Sequence, residues 1–594
     1  MAKHPGGDVG RRLLPVIIDE VARDDPHKAW ASLPIDDYDL SQGFEDITYA
    51  AFANGINKLA HFIVKAFGTS DNFETIVYLG IPDLRYYMLL YAVCKTGHKV
   101  LFNSHLNTLD LHLSLIDQAK CHAMLLARGV YAEDITNSRP MPKAEIPELD
   151  DLLDPSDPVA PFPYTKSFAE AQRDPFVICQ TSGATGDPRP VTFTHASMAC
   201  MDSQTELQDV DGRPHWTWKC DVGTRYLMMA SPFHPIAVVL AMTVSAFGGG
   251  VLIPGFRHRS VDNINEVCGI IKGSGATTGF MPYFLADVIA RLPDAEQYIK
   301  QFDSMTYGNG SVSDYAGEVW SKHSRLQCVW GASELLSPPF LEGDPEDYAY
   351  VFFDTKNGGV EFRERDLEYY DDDGSRLPLY ELVMVFNPTS QRFAGYWAGR
   401  GITSAPTKPP YPEYATAEVW TPHPDPKKSK YAWRFISRIP DLESRNNEFG
   451  FGLEKALGYH EKVQNAIVLT RYNAQPIALI ELSKGVDRAS AATLWAEAIA
   501  PENEGVPEHA RVPESHVIFV PFGNFIRGSE GHFLRRQTER KYANEIDYVY
   551  GKARKTSVIG GKPRYESIIE TTEVVRTVEQ ENTDRHFPVR DQKV

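Results

Sequence analysis

Residues 176–195 read FVICQTSGATGDPRPVTFTH, two short apolar runs held apart by a loop of small and hydroxyl-bearing residues. Phe176 to Cys179 is predicted to be a buried strand, and Val191 to Thr194 a second strand that leads into His195. The loop carries Thr181, Ser182, Gly183, Thr185 and Gly186. Hydroxyls and unobstructed backbone N–H groups of this kind wrap phosphate oxygens. Arg189 adds a fixed positive charge. A lone cluster of such residues is more often a plain turn, and the GxxxxGK[ST] spacing of a Walker loop is absent. The density of hydroxyls, glycines and one basic residue is what points to an anion.

The sequence around this loop alternates between two periods. Phe52, Ile56, Leu59, Phe62 and Ile63 recur at helical spacing. Buried strands are predicted at 75–80, 100–102 and 122–126, with helices at 86–94 and 109–118. Strands alternating with helices require a parallel sheet covered on both faces. Residues 139–165, rich in Pro and Asp, read as a surface linker. A second α/β run extends from 176 to about 340. Residues 350–353 and 380–385 are β-rich, with an acidic turn at 371–374. Residues 387–430 read as loop, 441–550 as a smaller α/β unit, and the tail as mobile apart from one possible strand at 565–569. The most membrane-like stretch, 236–256, is interrupted by Gly248 to Gly250 and Pro254, so it is expected to be a buried helix, a turn and a strand.

At 594 residues the chain exceeds one ordinary core. Its 60 Lys plus Arg against 79 Asp plus Glu give a net charge of −19, which argues against general binding of nucleic-acid phosphate or anionic lipid. Seven scattered cysteines without a CxxC offer no zinc spacing and fit a reducing, cytoplasmic setting. The N-terminal sequence has charges where a secretory signal needs an apolar run.

The segment TSGATGDPRPVTFTH resembles the signature loop of the adenylate-forming superfamily, which includes acyl-CoA synthetases, nonribosomal peptide synthetase (NRPS) adenylation domains and luciferases. Further segments follow at similar distances. Ser231-Pro-Phe-His234 resembles a substrate-side "PLFH" segment. Gly308, Asn309 and Gly310 stand in the place of a loop against adenine. Trp330-Gly-Ala-Ser-Glu334 is similar to the "YGxTE" motif, and Trp433 to Arg438 to "WRFVGR". The opening and the segment 541–547 are similar to the adenylation module of fungal NRPS-like carboxylic acid reductases. The resemblance implies an α/β fold with a large N-terminal part, residues 1–440, containing two α/β subdomains and a small β region. A smaller C-terminal lid, 441–555, and a flexible tail, 556–594, would follow.

The resemblance further implies ATP and Mg²⁺ as cofactors. Phosphates would lie on Thr181, Ser182, Gly183, Thr185, Gly186 and Arg189. Gly308, Asn309, Gly310, Gly331, Ala332 and Ser333 would border the nucleotide, Glu334 would carry Mg²⁺, and Glu418 and Arg438 would hold the ribose. His234, Glu334 and Arg438 would be catalytic. A small carboxylic acid would become an acyl-adenylate and then pass to a carrier-protein thiol or CoA, in fungal secondary metabolism.

Three positions depart from the family pattern. Glu418 stands where the family has a ribose-binding Asp. Pro440 stands beside the hinge, where it fixes φ. Glu530 stands where the family has a lysine that neutralises the reacting phosphate and carboxylate, with Arg527 and Arg535 as nearby substitutes. These departures keep open an alternative, a scaffold that binds a nucleotide or acyl ligand without adenylating.

Overall fold

A computed structural model of the chain describes residues 5–551 apart from 106, 182–187, 217–221, 256–263, 309, 368, 370–374, 388, 394–412, 440–448, 459, 471–474, 488, 505–507 and 528–532. The chain divides into two compact units. The larger comprises 1–130, 134–448 and 527–534, and the smaller 131–133, 449–526 and 535–594. The expected boundary at 440/441, the acidic turn at 371–374 and the possible strand at 565–569 lie outside the described residues.

The larger unit contains three sheets. The first runs, in spatial order, Lys143–Glu145, Cys121–Leu126, Thr75–Leu79, Lys99–Phe102, Pro175–Gln180 and Pro190–Thr194. All its neighbours are parallel except the last pair, a hairpin. The second runs Arg325–Cys328, Ser304–Gly308, Thr278–Pro282, Arg225–Met228, Val251–Pro254, Ala29–Pro34 and Phe44–Thr48, again parallel except for the last pair. The third is antiparallel: Val351–Phe352, Ala432–Arg438, Glu413–Pro422, Leu379–Val385 and Val360–Arg365.

The helix Leu84–Thr96 explains how the two parallel sheets share a core. Every residue in it except Cys94 is buried. Tyr86 packs against Phe102 of the first sheet, and Tyr87 reaches Trp30 of the second. A helix apolar all round belongs between layers, not on a surface. Its two interior charges are paired: Arg85 with Asp83 at 2.7 Å and Lys95 with Asp19 at 2.7 Å. Beside it the helix Tyr49–Phe67 places Phe52 flat on Trp30, with ring centroids 3.7 Å apart. Thr48 caps that helix through Ala51 N–H.

Two segments expected to be loop are partly regular. Lys143–Glu145 adds an edge strand beside Cys121–Leu126, and Leu149–Leu153 is a short helix whose Leu149 and Leu152 are buried. Glu413–Pro422 is a ten-residue strand at the centre of the antiparallel sheet. The strand reads EYATAEVWTP, and the Pro- and Lys-rich composition on either side masks its pattern. The segment 236–256 is the expected helix, turn and strand: Pro235–Ala241 continues through a π-helical turn at Met242–Phe247, and Val251–Pro254 follows. No helix among the described residues is long and apolar enough to cross a membrane.

The smaller unit pairs Val463–Leu469 antiparallel and Val517–Val520 parallel with the central strand Ile477–Leu482. The helix Phe449–Gly458 buries Leu453 and Leu457 in its core.

Candidate active site

The hairpin closes the neck of the hydroxyl-rich loop. Its last ladder pair is Gln180 with Pro190. Beyond it, Thr181 N–H donates to the Arg189 carbonyl at 2.9 Å, and Arg189 N–H donates to Thr181 Oγ1 at 3.0 Å. Thr181 therefore fixes the neck while its own hydroxyl proton stays available to an acceptor. The Arg189 side chain is exposed. Ser182, Gly183, Thr185 and Gly186 lie outside the described residues.

The C-terminal ends of the second sheet deliver the next group. Ligands of parallel α/β sheets gather at these ends. Pro282 and Gly308 end adjacent parallel strands as a pair. A Cβ at Gly310 would overlap the Tyr283 ring, so only glycine lets the backbone pass there. Asn309 lies outside the described residues. The strand Arg325–Cys328 feeds the turn that carries Gly331, Ala332, Ser333 and Glu334. Ala332 N–H donates to Leu336 O at 3.1 Å and Leu335 N–H to Ala332 O at 2.9 Å. Leu336 takes a left-handed φ of 56° to close it. A side chain at Gly331 would press on Ser337 Oγ and the Leu336 carbonyl. Glu334 is half-buried, and among the described residues no side chain pairs with its carboxylate. His234 is buried at the start of the helix Pro235–Ala241, where its Nδ1 accepts from Ile236 N–H at 3.3 Å.

Glu418 is aimed by a bulge. Glu381 pairs with Val419 and Val383 with Ala415, so the strand Glu413–Pro422 carries extra residues between those points. Ala417 adopts a left-handed φ of 58°. Its N–H donates to Glu381 Oε1 at 3.1 Å, and Thr416 Oγ1 accepts from Glu418 N–H at 3.1 Å while donating to Leu382 O at 2.8 Å. The Glu418 carboxylate then accepts from the Trp330 indole Nε1 at 2.6 Å. Arg438, its partner across the ladder, places Nη2 at 3.6 Å from the other oxygen. Burial pushes the Glu418 carboxyl above the usual carboxylate range, against the pull of Arg438 and Trp330, and the Glu334 charge adds to the rise. Glu334, Glu418 and Arg438, separated by up to 104 positions in the chain, thus share one electrostatic neighbourhood.

Sequence reasoning missed the parts that aim this group. In sequence Trp330 is only a motif position, yet its indole donates to Glu418 at 2.6 Å. Glu381 is buried and holds the bulge; its signal was a lone charge inside the apolar run YELVMV. Arg535 is not a free cation: it bonds Glu454 at 2.7 and 3.0 Å and the Val468 carbonyl at 2.7 Å. Glu530 and Pro440 lie outside the described residues. Asp344, Glu346 and Asp347 approach one another closely enough to hold an ion, but Lys428 Nζ already sits among them, 2.9, 3.3 and 2.6 Å from their oxygens.

Residues 20–350 match the model of the AMP-binding enzyme family, and 450–554 that of the AMP-binding enzyme C-terminal domain. The chain belongs to the AMP-binding enzyme family. Among curated relatives, it is 26% identical over 574 residues to a carboxylic acid reductase of Neurospora crassa, covering 93% of this chain and 52% of the relative. It is 26% identical over 562 residues to an isocyanide synthase–NRPS hybrid of Aspergillus fumigatus, covering 91% and 34%. The chain therefore spans about half or less of the length of these relatives. Solved structures that share its fold include an anthranilate CoA ligase in complex with anthranoyl-AMP (TM-score 0.64, 14% identity, 89% of this chain and 97% of that one), and ATP-bound MatB from Rhodopseudomonas palustris (TM-score 0.61, 14% identity, 90% and 99%). The fold is the adenylate-forming architecture of α/β subdomains with a smaller C-terminal domain.

Proposed function

We propose that the chain activates a small carboxylic acid with MgATP. The observation that carries this reading is the Glu418 carboxylate held between Trp330 and Arg438, under the influence of the Glu334 charge, in a member of the AMP-binding family. The acid's carboxylate oxygen attacks the α-phosphorus, the bond between α-phosphorus and bridging oxygen breaks, and pyrophosphate leaves. A thiolate, from a carrier-protein arm or CoA, then attacks the acyl carbon and AMP departs. The fungal relatives named a carboxylic acid reductase and an isocyanide synthase–NRPS hybrid support our assigning this chain to fungal secondary metabolism.

Each residue has a part consistent with its surroundings. Thr181 and Arg189 flank the phosphates. Glu334, half-buried with open lone pairs, fits a hard divalent cation, which would offset phosphate charge when bound. Glu418 and Arg438 face the ribose as acceptor and donor. His234, fixed by its cap to Ile236, borders the acid.

The test is calorimetry with MgATP, followed by ATP–pyrophosphate exchange over a panel of carboxylic acids. Binding at sub-millimolar ATP and acid-dependent exchange are expected. Nucleotide binding without exchange for any acid would leave the non-adenylating scaffold in its place, and no binding at millimolar ATP would remove the nucleotide site.

A further inference from the structure

The strands Lys99–Phe102 and Pro175–Gln180 are joined by backbone pairing as far as Leu101 with Ile178. Past that point the second strand leads into the nucleotide loop, and side-chain amides take over from the ladder. Asn107 Nδ2 donates to Gln180 Oε1 at 2.8 Å and to Asn103 Oδ1 at 2.7 Å. Gln180 Nε2 reaches back to Asn107 Oδ1 at 3.4 Å. Asn107 is itself placed by a turn, its N–H donating to the Ser104 carbonyl at 3.1 Å. All three amides are buried, Asn103 completely. Asn103 Nδ2 has no hydrogen-bond partner among the described residues.

A buried donor left unmade costs roughly 1–3 kcal/mol, and replacing such a trio by apolar groups of similar shape ranges from neutral to stabilising, so core stability alone does not call for it. The polar trio must be explained by what it adjoins. Gln180 is one peptide bond from Thr181, which closes the loop's neck on Arg189. On the other side of the turn, the His105 ring packs edge-on to Phe233 at 6.1 Å, next to His234. Asn107 and His105 therefore abut the loop's neck and the segment carrying His234, respectively.

We propose that Asn107 is a positioning residue for nucleotide binding: its carboxamide fixes Gln180, and through it the orientation of Thr181 at the neck of the loop. An amide pair gives directional restraint at the place where the backbone ladder ends, which aliphatic contact there would not. This inference rests on the reading of 181–189 as a nucleotide loop.

The experiment compares the full chain with Asn107→Leu, Gln180→Leu and the double variant, in ATP–pyrophosphate exchange and in hydrogen exchange without nucleotide. Each single variant is expected to raise the KM for ATP tenfold or more and to leave the KM for the acid within twofold. The double variant should be no worse than either single one, because both remove the same restraint. Thr181 and Arg189 amides should exchange at least tenfold faster in all three. Should Asn107→Leu fail to fold, Asn107→Ser, too short to reach Gln180, is used in its place. An unchanged KM for ATP, additive single effects, or both KM values rising together would overturn the proposal. If the parent shows no ATP–pyrophosphate exchange with any acid, the adenylation reading falls, and the two amide rates alone decide whether Asn107 positions the neck.

Discussion

Trp330→Phe removes one donor and little else. Phe retains a ring able to meet Phe353 and Trp420, the aromatic neighbours whose centroids lie 6.1 and 6.5 Å from that of Trp330. What disappears is the indole N–H 2.6 Å from Glu418. A hydrogen bond to a charged group contributes ~1.5–3 kcal/mol, a neutral one ~0.5–1.5 kcal/mol. The same substitution made in a Glu418→Gln background loses only the neutral bond, while the packing change is common to both. The double-mutant cycle should therefore return a coupling of about 1–2 kcal/mol at pH 7.5. The assay is urea unfolding followed by circular dichroism, with the four proteins compared at equal ionic strength. The coupling should shrink with acid. Glu418 has a folded pKa raised above its unfolded value of 4.5, so the fold favours its protonated form. That preference is fully present below pH 4.5 and is lost as pH rises through the folded pKa. Accordingly, Glu418→Gln should be neutral or stabilising at pH 7.5. A coupling below about 0.3 kcal/mol at pH 7.5, or one that grows as pH falls towards 4.5, would refute the arrangement described for Trp330 and Glu418.

Thr181→Ala removes the acceptor for Arg189 N–H and should weaken MgATP binding about tenfold, ~1.4 kcal/mol by calorimetry; unaltered affinity would remove Thr181 from the site. Glu530→Lys should accelerate acid-dependent pyrophosphate release tenfold or more, ~1.4 kcal/mol of barrier, and an unchanged rate would show that another cation already serves the reacting phosphate. Burial pushes His195 down to about 3 and His112 down to about 4, the latter helped by His105. Both are neutral in the fold, so the stability they contribute is complete above pH 6.5 and declines as pH falls from there towards those values. His195→Phe should flatten the acid limb of a urea-midpoint profile between pH 6.5 and 4, and an unchanged slope would contradict the burial account.

The parallel sheets were legible because their strands are buried on both faces and their helices keep a clean period. Thr75–Leu79 and Tyr49–Phe67 announce themselves in sequence for that reason. The strand Glu413–Pro422 did not, because its bulge breaks the two-residue alternation and puts Ala417 in a left-handed conformation that no residue type there signals. The same bulge hid the geometry of Glu418. Motif spacing placed Glu418 and Arg438 in one site, but their pairing across a ladder, and the indole that engages one of them, depend on register. Asn103, Asn107 and Gln180 were invisible for a related reason: three amides separated by up to 77 positions carry no local pattern. Arg535 shows the converse, since proximity in sequence suggested a spare cation and the fold gives it to Glu454.

The helix Leu84–Thr96 turns no face to water. A fragment that kept the first parallel sheet without the second would strip Tyr87 of Trp30 and leave one side of that helix apolar and wet. The two sheets consequently cannot be exchanged one at a time. A chimera that grafts the second sheet from a relative must bring matching partners for Tyr87 and its neighbours, or it will leave that face open to aggregation.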